Sequence, residues 1–270
     1  MILPGSYANG FAPRDGQPLY PELWRGCVGA WAPCLGPTGL TLRDWSGRSN
    51  HGDLTNMTPA SDWVTNGGMY ALDFDGTDDW VDFGTGTDLS IGSVRSVFFS
   101  ITPRSASSGH LLSMWDLAGG VNQRTFIHEF SAGTIRQYWS PDGSADGTII
   151  SSGTLTVGRK YTVASVYRDG VRELWIQGIR VASISQASIY TGATTSRLSW
   201  FCAAGRAADT PVAFANGGGN EVLLYNRPLD QSEIRMLSSR VGIVHELAPR
   251  RRSSSAVQFN RRRRLLLGST

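Results

Sequence analysis

The densest set of chemically capable groups in this chain is acidic: Asp73, Asp75, Asp78, Asp79 and Asp82 fall between positions 73 and 82. Calcium takes roughly six to eight oxygen ligands, and Asp75, Asp78 and Asp79 are the candidates to supply them, in a spacing that is not that of an EF-hand. The same residues also form an ordinary turn, in which the aspartates of Asp75-Gly76-Thr77-Asp78 cap their own backbone amides between two strands. Beyond possible calcium, no cofactor is expected. The six glutamates, Glu22, Glu129, Glu173, Glu221, Glu233 and Glu246, are scattered, whereas glycoside hydrolysis needs paired carboxylates. His51, His110, His128 and His245 show no ligand spacing, and no Gly-x-Ser-x-Gly elbow occurs. The run Asn216-Gly217-Gly218-Gly219-Asn220 lacks the strand-to-helix context and Lys-Ser of a phosphate-binding loop and reads as a flexible turn. On these grounds the chain is expected not to be an enzyme.

For carbohydrate binding the candidates are Trp115, Tyr138, Trp139 and Trp200, joined by Phe201, whose rings suit stacking on pyranose faces. Asn122, Gln123, Arg124 and Asp142 offer hydroxyl partners nearby in sequence. The alternative is that large aromatics fill the interior of a sandwich. Tyr138 and Trp139 are neighbours on an expected strand and must point to opposite faces, so at least one of them need not be core.

A third set lies at the C-terminal end. Net charge is +3 overall, residues 250–270 hold seven arginines and no acid, and residues 1–249 therefore carry −4. Arg250, Arg251, Arg252, Arg261, Arg262, Arg263 and Arg264, with Phe259, Leu265 and Leu266, read as a docking peptide that gains order from what it touches. A protein groove is favoured, because the arginines orient and the leucines anchor. Nucleic acid is the runner-up, for which seven phosphate contacts predict a log–log salt slope near about −6.

The elements that position these residues are strands. Forty per cent apolar residues, with nine Trp, eight Tyr and ten Phe, suit one large all-β domain. Ala71-Leu-Asp-Phe-Asp75, Ser96-Val-Phe-Phe-Ser-Ile101 and Tyr161-Thr-Val-Ala-Ser-Val-Tyr167 are strand-like, and Asp75-Gly76, Asp142-Gly143, Asp146-Gly147, Asp169-Gly170 and Gln177-Gly178 punctuate hairpins. One short helix is signalled by a capping box, Asp230 with Glu233, followed by Ile234 and Leu237 and stopped by Gly242. Four prolines make residues 1–25 an extended arm. Residues 26–241 form the body, and residues 242–270 the arginine-rich tail. Cys27, Cys34 and Cys202 are too few for a disulfide framework and are expected as free thiols. No secretion signal or membrane span is expected, which places synthesis in a reducing cytoplasm with no membrane partner.

Four segments, in order, resemble laminin-G-like domains: Gly29-Ala-Trp31 through Asp44-Trp-Ser-Gly47-Arg-Ser-Asn50-His51-Gly52; Leu72-Asp-Phe-Asp75-Gly76-Thr-Asp78-Asp79-Trp80-Val81; Leu174-Trp-Ile-Gln-Gly178; and Glu221-Val-Leu-Leu-Tyr225-Asn226-Arg227-Pro-Leu229 with Ser232-Glu233-Ile234. The resemblance is to the concanavalin A-like lectin and glucanase superfamily over roughly residues 26–240. It implies a jelly-roll sandwich of two curved antiparallel sheets, with calcium often near loop aspartates. The superfamily's catalytic branch carries two glutamates and an aspartate on one strand, a run absent here. Its usual acidic pair before the last strand is Asn220-Glu221 here, and its usual Asp-Gly is Gln177-Gly178.

The arm and arginine tail flanking such a domain look like those of tailed-bacteriophage virion proteins, which implies a capsid decoration, fibre or tail component bound to other virion proteins or to further copies of itself. The alternative is a free carbohydrate-binding module that recognises cell-surface glycans.

Overall fold

The computed structural model describes residues 18–247, except 67, 86–88, 90–93, 117–123, 193, 195 and 205–209. It is a jelly-roll sandwich of two antiparallel sheets. The strands are β1 (Cys27–Trp31), β2 (Thr41–Leu42), β3 (Gly52–Thr55), β4 (Trp63–Asn66), β5 (Met69–Asp75), β6 (Trp80–Thr85), β7 (Ser96–Pro103) and β8 (Gly109–Trp115), followed by β9 (Arg124–Ser131), β10 (Thr134–Trp139), β11 (Ile150–Ser151), β12 (Tyr161–Arg168), β13 (Val171–Ile176), β14 (Ile179–Ser185), β15 (Arg197–Trp200) and β16 (Asn216–Tyr225). The first sheet runs β14-β13-β12-β7-β16-β5-β4, with β1 also paired to β16; the second runs β11-β10-β9-β8-β15-β6-β3-β2.

Strand β7 is buried at every position, although alternation predicts one wet face. The reason is that the first sheet is covered on both sides where β7 runs through it. Val97, Phe99 and Ile101 point into the main core between the sheets with Trp31, Phe74, Trp139 and Trp200. Phe98 points outward into a second cluster with Trp24, Trp45, Trp175, Tyr225, Ile234 and Leu237. Burial of such side chains contributes about 1.5–3 kcal/mol each.

Turn chemistry sets the hairpins. Asp169-Gly170 and Gln177-Gly178 both take positive φ at two successive residues, the two-residue turn whose twist matches antiparallel strands. Ala132-Gly133 does the same between β9 and β10, a turn the sequence reading missed because Ala is not a usual residue there. Helix α1 (Pro59–Asp62) is a single unexpected turn. Helix α2 (Gln231–Ser239) is the expected one: the Glu233 amide donates to Asp230 Oδ1 at 2.9 Å and the Asp230 amide donates to Glu233 Oε2 at 2.9 Å.

The Asn216–Asn220 run is corrected from flexible turn to strand. It opens β16 and pairs with both β5 and β7. A Cβ on Gly219 would overlap the Trp200 indole, and one on Gly217 would stand 2.6 Å from the Thr102 carbonyl oxygen. Glycine here permits close approach rather than bending.

The body also extends past the expected boundaries at both ends. Pro18 bridges Leu247, the Leu19 amide donates to the Glu246 carbonyl at 2.7 Å, and the Trp24 indole donates to the Val244 carbonyl at 2.7 Å. Residues 18–25 and 242–247 thus pack with the sandwich because Leu23, Trp24, Ile243 and Val244 are apolar and buried. All three cysteines are free, and burial pushes the thiols of Cys27 and Cys202 far up. No described helix is long and apolar enough to cross a membrane.

Candidate functional site: an acidic turn beside an aromatic-floored cleft

The turn joining β5 to β6 gathers three of the five aspartates. One carboxylate oxygen from each of Asp75, Asp78 and Asp79 lies within 4.8 Å of the others. The turn is held by its own polar groups: Asp75 Oδ1 accepts from the amides of Thr77 at 2.7 Å and Asp78 at 3.4 Å, and Asp79 Oδ2 accepts from the Asp75 amide at 3.1 Å. Gly76 takes φ +80, and a Cβ there would meet Asn216 Cβ at 2.8 Å. Both sequence readings therefore describe one object, a self-capped turn that presents three carboxylates.

Their charges are unequal. Burial raises the Asp79 carboxyl to about 6 against the lowering effect of the Asp75 amide, and the neighbouring charges of Asp75, Asp62 and Asp78 add to the rise. Burial also works against ionised Asp75, but hydrogen bonds from the amides of Thr77 and Asp78 and the Thr77 hydroxyl outweigh it and hold its pKa below the usual value. Crowded carboxylates with one member destabilised as an anion form a donor set that a hard cation neutralises, the remaining oxygens coming from carbonyls or water.

Asp78 also lines a cleft of about 500 Å³ together with Thr55, Asn56, Trp80, Asp82, Arg197, Ala204, Thr210, Pro211 and Phe214. Its floor is apolar: Trp80, Cys202 and Ala204 form a small cluster against Phe214. Its rim is polar. Arg197 pairs with Asp82, whose other oxygen accepts from the Gly84 amide at 2.9 Å, and the Asn56 amide donates to the Asp78 carbonyl at 3.0 Å. An apolar floor with a few fixed polar groups is the usual make-up of a small-molecule site. Sequence reasoning named Asp82 but missed Trp80 and Arg197. Trp80 sits within the second family-like segment, whereas Arg197 carries no local signal and reaches Asp82 only through the β6–β15 pairing.

The carbohydrate candidates separate. Trp139 and Trp200 are 1 % and 0 % exposed and are corrected to core, because both rings face the opposing sheet; Phe201 stacks on Phe74 with centroids 4.0 Å apart. Trp115 and Tyr138 come together on the outer face of the second sheet, ring centroids 6.4 Å apart. Arg124 lies 5.4 Å over the Trp115 ring, and the Tyr138 hydroxyl donates to Glu129 Oε1 at 3.0 Å. Trp115 is only 4 % exposed, which leaves little of its face for a sugar. Asp142 is engaged by its own loop, accepting from the amides of Ser144 and Ala145. Asn122, Gln123 and the whole docking set, Arg250 to Leu266, lie outside the described residues.

Two family-like segments prove to be structural. Asp44, 4 % exposed, accepts from the amides of Ala30, Ser46 and Asn50 and from the Ser46 hydroxyl. Arg227 forks onto Glu233 at 2.6 and 2.7 Å.

Comparison with known proteins agrees with this architecture. The family model described as the concanavalin A-like lectin/glucanases superfamily matches residues 74–235. No curated protein matches the chain in sequence. Among solved structures, Trypanosoma rangeli sialidase in complex with sialic acid is 19 % identical with a TM-score of 0.60, covering 82 % of this chain and 34 % of that one. The same sialidase with a difluoro-KDN ligand gives 15 %, 0.61, 90 % and 39 %. The binding domain of Paraclostridial Mosquitocidal Protein 1 gives 12 %, 0.61, 80 % and 52 %. The chain thus spans about a third of the length of those sialidases, and at these identities the likeness is one of fold.

The expectation that the chain is not an enzyme is corrected by the same comparison. The same fold occurs within Trypanosoma rangeli sialidase, which is an enzyme. Two antiparallel sheets, the self-capped turn and the match over residues 74–235 place the chain in the concanavalin A-like lectin/glucanase superfamily, to which it belongs.

Proposed function

We propose that the protein is a lectin-like recognition domain that holds a glycan in the cleft between Asp78, Trp80 and Arg197, with calcium seated on Asp75, Asp78 and Asp79 at its rim. The observation that carries this reading is that one residue, Asp78, belongs both to the carboxylate triad and to the aromatic-floored cleft, so cation and saccharide share a wall. We further infer that the flanking segments fasten the domain into a tailed-bacteriophage particle as a capsid decoration, fibre or tail component. The charge division between an acidic body and the Arg250–Arg252 and Arg261–Arg264 blocks supports this, because a basic peptide carrying leucines docks on an acidic, grooved neighbour.

A glycan array probed with the protein in calcium and in chelator tests the first part. Calcium-dependent signal that disappears in Asp78→Ala is expected, and a silent array from folded protein would overturn it. For the second part, removal of residues 250–270 should abolish incorporation into particles while the domain still folds, and normal incorporation would refute it. A domain that binds glycans yet stays free of particles would favour the free carbohydrate-binding module.

A further inference from the structure

The outer face of the first sheet carries a second cleft whose chemistry is opposite to that of the acidic turn. Arg168 ends β12, Glu173 and Trp175 alternate on β13 and so share one face, and Arg180 on β14 pairs across from Trp175. Gln231 and Arg235 are four apart on α2, hence on one side of that helix. The Gln177-Gly178 turn fixes the spacing between hairpin and helix: a Cβ on Gly178 would stand 3.3 Å from Arg235 Cα and 3.4 Å from Ser238 Cβ. Backbone and helix are thus pressed together beside a cleft of about 400 Å³ whose lining, besides the apolar Ile179, is Arg168, Glu173, Trp175, Arg180, Gln231 and Arg235.

Three guanidinium groups meet one carboxylate there, and that carboxylate is already engaged. Glu173 is 8 % exposed; its Oε1 accepts from Arg180 Nη1 at 2.7 Å and its Oε2 from the Trp175 indole at 3.1 Å. Arg168 is anchored by a bond from Nη2 to the Leu229 carbonyl at 2.5 Å, which fixes its position without neutralising it. Arg235 is exposed, and among the described residues no carboxylate lies within ion-pair distance of Arg168 or Arg235. The nearby Asp230 directs Oδ1 to the helix end, where it accepts from the Glu233 amide and the Ser232 hydroxyl. Arg168 and Arg235 therefore remain without an ion-pair partner among the described residues, in a concave site where low-dielectric walls focus the field on an incoming anion.

We propose that this cleft is a binding site for a small oxyanion-bearing ligand, a sugar acid or a phosphorylated or sulfated small molecule, held by Arg168 and Arg235 with Gln231 as a neutral partner. Guanidinium forks match carboxylate, sulfate and phosphate oxygens in pairs, which a point charge does not. A volume of about 400 Å³ falls in the range of roughly 300–1,000 Å³ typical of small-molecule sites and exceeds a bare inorganic ion. The site is on the opposite sheet from the Asp78 cleft and does not depend on the function proposed for it.

The test is an amide chemical-shift titration of the full chain with sodium sulfate, inorganic phosphate, glucuronate and, as the uncharged control, glucose. Saturable shifts at Gly178 and Gln231 with the charged probes and none with glucose are expected; locating the shifts separates this cleft from the arginine tail. Arg235→Glu, on an exposed helix position, should weaken the binding at least about tenfold with an unchanged melting temperature, and Arg168→Gln should act in the same direction. Tightest binding of glucuronate would identify a sugar carboxylate, and binding of sulfate or phosphate without glucuronate an inorganic-type group. Absence of saturable shifts at these amides, or equal affinity in Arg235→Glu, would overturn the proposal.

Discussion

Trp139 and Trp200 lie inside the sandwich, whereas Trp115 and Tyr138 lie on the outside of the second sheet, although all four are equally good stacking residues in sequence. The inner pair packs edge and face against Phe126, Phe74 and Phe201, and the indole nitrogens of both inner tryptophans lack a partner. The outer pair is woven into charge, with Arg124 over one ring and Glu129 on the other's hydroxyl. Ring type alone therefore says nothing about role; the groups within hydrogen-bond reach decide it.

The contrast breaks most readily at Trp200. Trp200→Ala empties the space beside β16 and should cost about 3–5 kcal/mol in denaturant unfolding; a loss as small as that of an outer residue would show that the interior is not built on this ring. Two of the three buried histidines, His128 and His110, come next. His128 lies inside at 0 % exposure and burial lowers its pKa to about 3, while His110 at the outer edge is lowered to about 4 by burial against the opposing pull of Glu129. Both folded values lie below the ordinary 6.5, so unfolding takes up protons. Stability should be complete above pH 6.5 and fall by roughly 1.4 kcal/mol per pH unit per histidine, until about pH 4 for His110 and about pH 3 for His128. A stability profile that stays flat from pH 7 to 5 would contradict the burial of both.

Gly219→Ala sharpens the same contrast from the backbone side, since the added methyl meets the Trp200 ring; a loss of about 1–3 kcal/mol is expected, against near neutrality at the open Gly153. On the outer face, Tyr138→Phe removes one hydrogen bond to Glu129 and should cost about 1 kcal/mol by thermal melting. Asp79→Asn is the smallest in stability, under about 1 kcal/mol, because the Asp75 amide keeps an acceptor. Its effect appears with calcium instead: the parent's calcium-induced rise in melting temperature should fade as pH falls through 6 and Asp79 takes a proton, and the variant should show none.

Much of the fold was legible because strands and tight turns obey local rules. Asp169-Gly170 and Gln177-Gly178 set their hairpins, and Asp230 with Glu233 capped its helix. Two things were not local. Period-two alternation said that Tyr138 and Trp139 face opposite ways, but which way is inward depends on the sheet packed against them. Glycines 217–219 looked like a loop, because the groups that require bareness lie far off in sequence: the Trp200 ring on the other sheet against Gly219, and the Thr102 carbonyl on β7 against Gly217. The acidic turn was legible since its three aspartates fall within five positions, whereas Arg168, Arg180 and Arg235 are brought together only by packing α2 against the β13–β14 hairpin.

The clasp between Pro18 and Leu247, closed by the bond from Leu19 to Glu246, sets the first and last described residues side by side. The segments before residue 18 and after residue 247 are therefore joined to the body at neighbouring points. If both segments dock on one partner as proposed, the second contact forms at the raised effective concentration that the first one sets, so that two weak holds multiply.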